Sequence, residues 1–305
     1  MSCNCTTTEL EGGRVKYSDY YSEIQPTWCS GCGDYAIMAA LKRSLVELDI
    51  APSEVVLCFD VGCNSNMNDK LGGYRVHTLH GRVLPFAAGA KISHPKLKVI
   101  AFAGDGATYS EGLNHFINSL KSNYPITFFV HNNGNYGLTT GQASATTPQN
   151  TKRTANPDGP TSMTLNPLEL ALSIDPAFVG RSTSADIGSL IKIMKQAISF
   201  QDEGFAYVDI LQACPTYNRE LTHEMLLKRS KNVEDFPDYN PNNLAAARAF
   251  VQSTGMEIAN GVIYKNPNLV SYLKKLVYRK KSWSDTTLRE EVKKYSISDY
   301  LNSLS

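Results

Sequence analysis

The chain of 305 residues has no long apolar run and almost no excess of charge of either sign. No stretch approaches the roughly 20 apolar residues that cross a bilayer, so no membrane-spanning helix is expected. The first 13 residues lack the apolar centre of a signal peptide, which predicts a cytoplasmic protein without a membrane partner. A formal net charge of +1 gives no reason to expect a nucleic-acid partner. The composition, 42% hydrophobic and 19% charged, is that of a globular protein with a substantial core.

The chain also lacks internal repeats and low-complexity tracts, so its elements are predicted from local periodicity. Short apolar runs closed by glycine or polar residues suit strands that are buried on both faces of a parallel sheet. We therefore predict a doubly wound α/β fold, with a mostly parallel sheet and helices on both faces. Predicted helices cover residues 34–48, 82–93, 110–122, 167–173 and 188–199, and predicted strands cover 54–63, 98–103, 126–131 and 206–211.

Oxygen-donating side chains follow two successive predicted strands. Gly104-Asp105-Gly106 comes directly after one strand, and Asn132-Asn133-Gly134-Asn135 ends the next strand, one helical crossover later. Open α/β sheets bind ligands at the carboxyl ends of their strands, and glycines let the backbone approach a diphosphate closely. Mg²⁺ takes carboxylate and carbonyl oxygens together with phosphate oxygens. The pattern predicts a Mg²⁺–diphosphate site with Asp105 as a ligand; the alternative is an asparagine-rich turn without a ligand.

Four of the seven cysteines fall near the same predicted sheet edge. Cys29 and Cys32 precede the first helix, Cys63 lies at the end of the first strand and Cys214 at the end of the last recognisable strand. Because cytosolic thiols stay reduced, metal or redox use is favoured over disulfides. Four thiolates suit either Zn²⁺ or a [4Fe–4S] cluster, and a redox-capable cofactor nearby favours the cluster. A redox dithiol or a structural zinc half-site at the first two cysteines, with the others merely buried, stays open.

The sequence gives weaker indications of a role for the remaining three cysteines. Cys58 lies within a predicted strand, where a buried structural thiol is the favoured interpretation. Cys3 and Cys5 lie in a polar N-terminal segment, where a metal role is the less favoured interpretation.

Several motifs occur in order along the chain and carry a family resemblance. The Gly-Asp-Gly and Asn-Asn pair resembles the signature of enzymes that use thiamine diphosphate, also called thiamine pyrophosphate. The other motifs are Trp28-Cys-Ser-Gly-Cys-Gly-Asp34, Val61-Gly-Cys63, Thr78-Leu-His-Gly-Arg82 with Pro85, Asn132-Asn-Gly-Asn-Tyr-Gly137, Thr140-Gly-Gln142 and Cys214-Pro-Thr216. With all of these motifs, the chain resembles the β subunit of the 2-oxoacid:ferredoxin oxidoreductases over about residues 25–220.

The resemblance implies specific ligands for a metal ion, a cluster and a cofactor. Asp105, the Asn133 side chain and the Asn135 backbone carbonyl would hold Mg²⁺ on the diphosphate. The expected ligands of one [4Fe–4S] cluster are Cys29, Cys32, Cys63 and Cys214. The expected cofactor contacts are Gly31, Cys32, Gly62, Asn64, His80, Gly104, Asp105, Gly106, Asn133, Tyr136, Gly137, Leu138 and Thr139.

His80 and Arg82 are the candidate catalytic residues, because their loop should approach the same sheet edge. They would contact the cofactor or the substrate carboxylate, which suits the two-pronged guanidinium of arginine. The alternative is that both are solvated loop residues.

The resemblance implies oxidative decarboxylation of a 2-oxo acid, with pyruvate and 2-oxoglutarate as the leading candidates. Electrons would leave singly through the cluster to ferredoxin, and coenzyme A would take the acyl group. A larger α subunit would grip the aminopyrimidine half of the cofactor, since no motif here offers the glutamate that thiamine enzymes place there. The chain alone is therefore expected to be inactive. Asn66, which stands where some relatives carry lysine, bears on substrate preference.

Two other functions stay open from the sequence. One is a related subunit that acts on aryl pyruvates such as indolepyruvate, and the other is a non-catalytic scaffold that carries zinc or a cluster.

We predict three regions along the chain. Residues 1–24 form an N-terminal extension, and residues 25–220 form the thiamine-diphosphate and iron–sulfur binding domain. Within that domain, residues 138–164 are rich in Thr, Gly, Pro, Asn and Ser and predict a long functional loop. Residues 221–305 form a helical extension packed on the domain or on a partner, because no sheet pattern is visible after about Thr222.

Overall fold

The structure is a computed structural model that describes residues 14–153, 155–237, 239–254, 257–276 and 296–303. Its strands are β1 (Val55–Phe59), β2 (Tyr74–His77), β3 (Lys98–Gly104), β4 (Thr127–Asn132), β5 (Phe178–Thr183), β6 (Ala206–Leu211), β7 (Ser230–Asn232) and β8 (Ile258–Lys265). They form one sheet in the order β2-β1-β3-β4-β6-β5-β8-β7. The first six strands in this order are parallel, and β8 runs antiparallel to β5.

Helices cover both faces of the sheet. They are α1 (Asp34–Glu47), α2 (Val83–Ser93), α3 (Leu113–Ser122), α4 (Pro167–Leu172), α5 (Ile187–Phe200), α6 (His223–Arg229), α7 (Leu244–Ser253) and α8 (Ile297–Asn302). Helices α1 and α5 pack on one face, and α2, α3, α4 and α7 pack on the other. This arrangement confirms the predicted doubly wound, mostly parallel α/β fold.

The central strands are apolar because both of their faces are covered. Along β3, Ile100 and Phe102 belong to the core beneath α1 and α5, whereas Val99 and Ala101 belong to the core on the opposite face. Successive side chains of a strand point to opposite faces, so a strand covered on both sides is apolar at nearly every position.

Parallel register brings four strand ends to one edge of the sheet. Phe59 of β1 is paired with Phe102, Gly104 of β3 with His131, and Asn132 of β4 with Leu211 of β6. The loops that follow β1, β3, β4 and β6 therefore leave the sheet side by side.

Four strands are missing from the sequence-based prediction. β2 is an exposed edge strand, and β5 contains Arg181, whose guanidinium pairs with the buried Asp209 of β6. The expectation that no strand follows Thr222 is wrong, because β7 and β8 both lie beyond it. β8 contains Asn-Gly, a dipeptide typical of turns, but here Gly261 has a φ of 139° and lies beside a register shift in the pairing with β5.

The C-terminal region is therefore partly sheet, not a purely helical extension. The division of the chain at residues 24 and 220 stays a prediction. Tyr20 of the N-terminal extension is fully buried and donates a hydrogen bond to the Ile50 carbonyl at 2.7 Å. Cys3, Cys5 and residues 277–295 of the predicted C-terminal extension lie outside the described residues. None of the described helices is both long and apolar enough to span a bilayer.

Candidate cofactor and metal site

A pocket opens where the four parallel strands end. Its walls come from the ends of β3 and β4, from the loops after β1, β2, β3 and β4, and from one residue of the loop after β6. The residues that line it are Val61, Gly62, Cys63, Asn64, His80, Gly104, Asp105, Gly106, Ala107, His131, Asn133, Asn135, Tyr136, Gly137, Leu138, Thr139 and Gln212. All but Gly31 and Cys32 of the predicted cofactor contacts lie in this lining.

Asp105 is the buried carboxylate of the pocket, with 1% of its surface exposed. Its Oδ2 accepts hydrogen bonds from Ser144 Oγ at 2.5 Å and from Thr146 Oγ1 at 2.7 Å. Burial raises the pKa of Asp105 to about 6, although the two hydroxyl donors act in the opposite direction. A positive ion would favour the carboxylate form that burial alone disfavours.

A buried network lies beneath this carboxylate. Thr146 Oγ1 is also 2.9 Å from Asn132 Oδ1, and Asn132 Nδ2 donates to Asp209 Oδ1 at 3.0 Å. Arg181 Nη2 donates to the other oxygen of Asp209 at 2.8 Å. The loop of residues 138–164 is thus connected, through Thr146, to the charged pair between β5 and β6.

Glycines shape the part of the pocket that a diphosphate would approach. A Cβ atom on Gly104 would meet nothing within 4 Å, so this position faces open space. A Cβ on Gly106 would collide with the ring of Tyr136, and one on Gly137 would lie 3.2 Å from Cys63 Sγ. Only glycine keeps the backbone and these two side chains this close together.

The asparagines after β4 form a compact turn. Asn133 is buried, and its Oδ1 accepts a hydrogen bond from the Asn135 backbone N–H at 3.1 Å. Gly134, between them, has a φ of 65°, which glycine adopts without strain. Thr147 Oγ1 donates to the Gly134 carbonyl at 2.7 Å, so the loop of residues 138–164 fixes this turn as well.

Among the described residues, four buried polar atoms on side chains that line the pocket have no hydrogen-bond partner. They are Asn64 Oδ1, His131 Nε2, Asn135 Oδ1 and Gln212 Oε1. Buried polar atoms are usually paired, so such a concentration in one pocket fits a polar ligand.

His80 lies at the pocket wall, but Arg82 does not. His80 Nδ1 is 3.1 Å from Asp60 Oδ1, and its Nε2 is 3.4 Å from Glu111 Oε2. Tyr136 donates its hydroxyl to Glu111 Oε1 at 3.0 Å. Arg82 is exposed and donates to the Glu111 carbonyl at 3.1 Å. Both catalytic assignments stay predictions, and the geometry places only His80 at the pocket.

The loops that carry the four predicted cluster ligands are bonded to one another. Cys29 and Cys32 share a turn, with the Cys32 N–H donating to the Cys29 carbonyl at 3.0 Å. Trp28 Nε1 donates to the Cys63 carbonyl at 2.7 Å. Gly33 N–H donates to the carbonyl of Ala213, the residue before Cys214, at 3.0 Å. The three cysteine loops therefore form one unit next to the pocket.

The thiols are near enough to influence one another electrostatically. Burial raises the pKa of Cys63 to about 12, and the charges of Asp34, Cys214 and Cys29 act in the same direction. Burial likewise raises the pKa of Cys32, assisted by Asp34. Cys29, Cys32, Cys63 and Cys214 are all free thiols. Within the ranges that the structure describes, no three Cys, His, Asp or Glu side chains are grouped closely enough to hold a single metal ion.

Sequence reasoning missed several polar residues of this site. Ser144 and Thr146 belong to no motif, although the composition of their loop predicted a function for it. His131 and Gln212 could have been found, because each stands at the carboxyl end of a predicted strand.

Two known families match this chain. Residues 60–210 match the family described as thiamine pyrophosphate enzyme, C-terminal TPP binding domain. Residues 214–281 match the family described as the C-terminal part of the pyruvate ferredoxin oxidoreductase β subunit.

Curated relatives and a solved structure extend the match to most of the chain. The β subunit of 2-oxoacid:ferredoxin oxidoreductase 1 from Aeropyrum pernix is 36% identical over 276 residues, which cover 88% of this chain and 86% of that protein. The β subunit from Saccharolobus solfataricus is 34% identical over 294 residues, 93% of either chain. The 2-oxoglutarate:ferredoxin oxidoreductase from Magnetococcus marinus, solved with 2-oxoglutarate, coenzyme A and succinyl-CoA bound, has a TM-score of 0.84 at 28% identity and covers 97% of this chain and 98% of its own.

The fold is thus that of a thiamine-pyrophosphate-binding α/β protein. More narrowly, the chain belongs to the β-subunit family of the 2-oxoacid:ferredoxin oxidoreductases, which are thiamine-pyrophosphate-dependent enzymes with more than one subunit. The family and enzyme class predicted from the sequence are confirmed.

Proposed function

We propose that this chain holds the diphosphate half of thiamine pyrophosphate through Mg²⁺, beside one [4Fe–4S] cluster. In complex with an α subunit it would oxidatively decarboxylate 2-oxo acids such as pyruvate and 2-oxoglutarate to their acyl-CoA. The electrons would pass through the cluster to ferredoxin. The observation that carries this proposal is the buried Asp105 carboxylate at the ends of parallel strands, in a pocket with unpartnered polar atoms and bonded cysteine loops around it.

The donor set of the pocket fits Mg²⁺. Because Ser144 and Thr146 occupy Oδ2 of Asp105, we expect its Oδ1 to bind the ion. Asn133 Oδ1 accepts one hydrogen bond and keeps a second lone pair, and the Asn135 carbonyl would be the third protein ligand. Carboxylate and carbonyl oxygens with phosphate oxygens are the set that Mg²⁺ prefers.

The pocket also fits a thiamine cofactor. When bound, thiamine pyrophosphate supplies the carbanion-stabilising chemistry that decarboxylation of a 2-oxo acid needs. The residues of this chain would hold and orient it. The open backbone at Gly104 would receive the diphosphate, and the Tyr136 ring packs against Gly106. His80, positioned by Asp60 and Glu111, is proposed to contact the cofactor or the substrate.

The cysteines suit a metal centre with four thiolates, and the neighbouring redox-capable cofactor favours a [4Fe–4S] cluster over a zinc ion. In a [4Fe–4S] cluster each iron takes one thiolate, so the sulfurs surround a larger body. Loops bonded side by side, bearing Cys29 and Cys32, Cys63, and Cys214, support that arrangement.

Metal and cofactor analysis of the complex copurified with its α subunit tests the proposal. We expect thiamine pyrophosphate, magnesium and about four irons per β subunit; zinc without thiamine would support a non-catalytic scaffold instead. Asp105→Ala should lose bound cofactor because the carboxylate ligand is gone, and unchanged retention would refute the magnesium assignment.

Substrate profiling separates the two enzyme alternatives. The complex should turn over pyruvate or 2-oxoglutarate, in line with the solved relative, whose crystals contain 2-oxoglutarate and coenzyme A. Preferential turnover of indolepyruvate would make the chain an aryl-pyruvate subunit.

A further inference from the structure

Three buried side chains lie between the cysteine loop and the cofactor pocket. Asp34, His131 and Gln212 are each at most 1% exposed. His131 Nδ1 is 2.6 Å from Asp34 Oδ1, and Gln212 Nε2 donates to Asp34 Oδ2 at 2.8 Å. Gln212 Nε2 also lies 3.4 Å from Cys32 Sγ. Asp34 therefore fixes one ring nitrogen of His131 and the amide nitrogen of Gln212.

The other ends of these two partners are directed to the pocket. His131 Nε2 and Gln212 Oε1 have no hydrogen-bond partner in the described part of the chain, and both residues line the pocket. Buried polar atoms are usually paired, so two unpaired ones on one wall indicate a ligand that pairs with them.

The neighbouring hydrogen-bond acceptors determine the orientation of the Gln212 side-chain amide. Its two N–H groups face the Asp34 carboxylate and the Cys32 sulfur, which are both acceptors when the cysteine is a thiolate. The reversed amide would place Oε1 against the carboxylate, oxygen to oxygen. Gln212 therefore presents N–H to the sulfur and its carbonyl oxygen to the pocket.

The cysteine loop packs directly on this residue. A Cβ on Gly33 would lie 2.7 Å from Gln212 Cγ and 2.5 Å from Ser184 Oγ, so the loop approaches as only glycine permits. Asp34 begins α1 immediately afterwards. A shift of the loop that carries Cys32 must therefore move Gln212 as well.

We propose that Asp34, His131 and Gln212 form a hydrogen-bonded bridge that couples the cofactor pocket to the cluster ligand Cys32, with Gln212 as the positioning residue. This inference rests on the proposed function, since it requires the cluster. A hydrogen bond donated to a ligand sulfur stabilises the reduced cluster, which is the more negative state. The free ends of His131 and Gln212 hold the cofactor, so one rigid unit sets both the cofactor position and the ease of cluster reduction.

The test compares Gln212→Met with wild type in the complete αβ complex. Methionine preserves the shape and removes both donors. At a fixed solution potential, the ratio of reduced to oxidised cluster, measured by electron paramagnetic resonance, should fall about three- to tenfold, as expected for one lost hydrogen bond. The dissociation constant of thiamine pyrophosphate, measured by calorimetry, should rise in Gln212→Met and in His131→Phe.

Gln201→Met is the matched control. Gln201 is fully buried and donates through Nε2 to the Val99 carbonyl and to Thr127 Oγ1, at the amino ends of the strands. Its loss should lower stability without changing the reduced fraction or the cofactor affinity.

The outcomes separate the inference from the proposed function. Wild-type complex without iron would refute the proposed function. Iron present, with the same reduced fraction in Gln212→Met, Gln201→Met and wild type, would overturn the bridge. If Gln212→Met does not assemble, Gln212→Glu keeps the side-chain shape and replaces the N–H donors with an acceptor, and it should lower the reduced fraction further.

Discussion

Thr146 gives the sharpest test of how the loop of residues 138–164 supports the metal site. Its single hydroxyl proton faces two acceptors, Asp105 Oδ2 at 2.7 Å and Asn132 Oδ1 at 2.9 Å. The Asn132 side-chain amide cannot rotate to donate a hydrogen bond in place of Thr146, because its Nδ2 already donates to Asp209. Thr146→Val therefore removes a donor that the network cannot replace.

The magnitude follows from the chemistry of that bond. A hydrogen bond to a charged group contributes about 1.5–3 kcal/mol, and about 2 kcal/mol corresponds to roughly a 30-fold change in affinity. Ser144 still donates to Asp105, so binding should be weakened and not abolished. We expect the Mg²⁺ concentration needed for half-maximal retention of thiamine pyrophosphate to rise about 30-fold in Thr146→Val. Since the lost hydroxyl normally lowers the pKa of Asp105, the defect should grow as the pH falls towards 6.

The assay is a Mg²⁺ titration of the αβ complex at saturating thiamine pyrophosphate, with bound cofactor measured after rapid gel filtration. Thr146→Ser keeps the hydroxyl and should behave like wild type. Thr161→Val is the matched control, because Thr161 is an exposed residue of the same loop. Equal Mg²⁺ dependence in Thr146→Val and Thr161→Val would refute the role of the Thr146 hydroxyl.

Three further predictions concern the pocket, the cluster and the fold. Gly106→Ala should push the Tyr136 ring out of place and lower cofactor affinity at unchanged iron content; tight binding in this variant would contradict the assigned packing. Cys63→Ser should lose cluster iron and ferredoxin reduction, whereas Cys58→Ala, which alters a thiol inside β1, should keep both; the reverse result would exclude Cys63 as a ligand. Lys91 is buried, and burial lowers its pKa from 10.5 to about 8. Between these two pH values the unfolded chain holds a proton on Lys91 that the folded chain lacks, so the free energy of unfolding should rise with pH. Denaturant unfolding should show that rise, up to about 3 kcal/mol, in wild type relative to Lys91→Met, and parallel pH profiles would contradict it.

The sequence predicts the centre of the fold because local chemistry alone determines it. β1, β3, β4 and β6 are short apolar runs buried on both faces, and the polar residues directly after β3, β4 and β6 lie at the pocket. The polar half of β5 carries no such signal, since Arg181 is tolerated there only because Asp209 stands on the neighbouring strand. β8 contains a turn-like Asn-Gly, and only its pairing with β5 makes it a strand.

The site residues also fall into a group that the sequence predicts and a group that it does not. Asp105, Asn133 and the cysteines belong to motifs with recognisable spacing, so sequence is sufficient to find them. Ser144 and Thr146 approach Asp105 from about 40 residues away through a loop without regular structure, and no periodicity predicts that return. The predictions for His80 and Arg82 followed from their shared loop, but only His80 lines the pocket, whereas Arg82 is exposed and donates to the Glu111 carbonyl.

A crystal structure of the αβ complex with Mg²⁺ and thiamine pyrophosphate, recorded at the iron absorption edge, tests the central claim most directly. We predict an iron signal bounded by the sulfurs of Cys29, Cys32, Cys63 and Cys214, and a diphosphate against Gly104 with its metal ion on Asp105. A diphosphate bound elsewhere, or no iron among these sulfurs, would contradict the account.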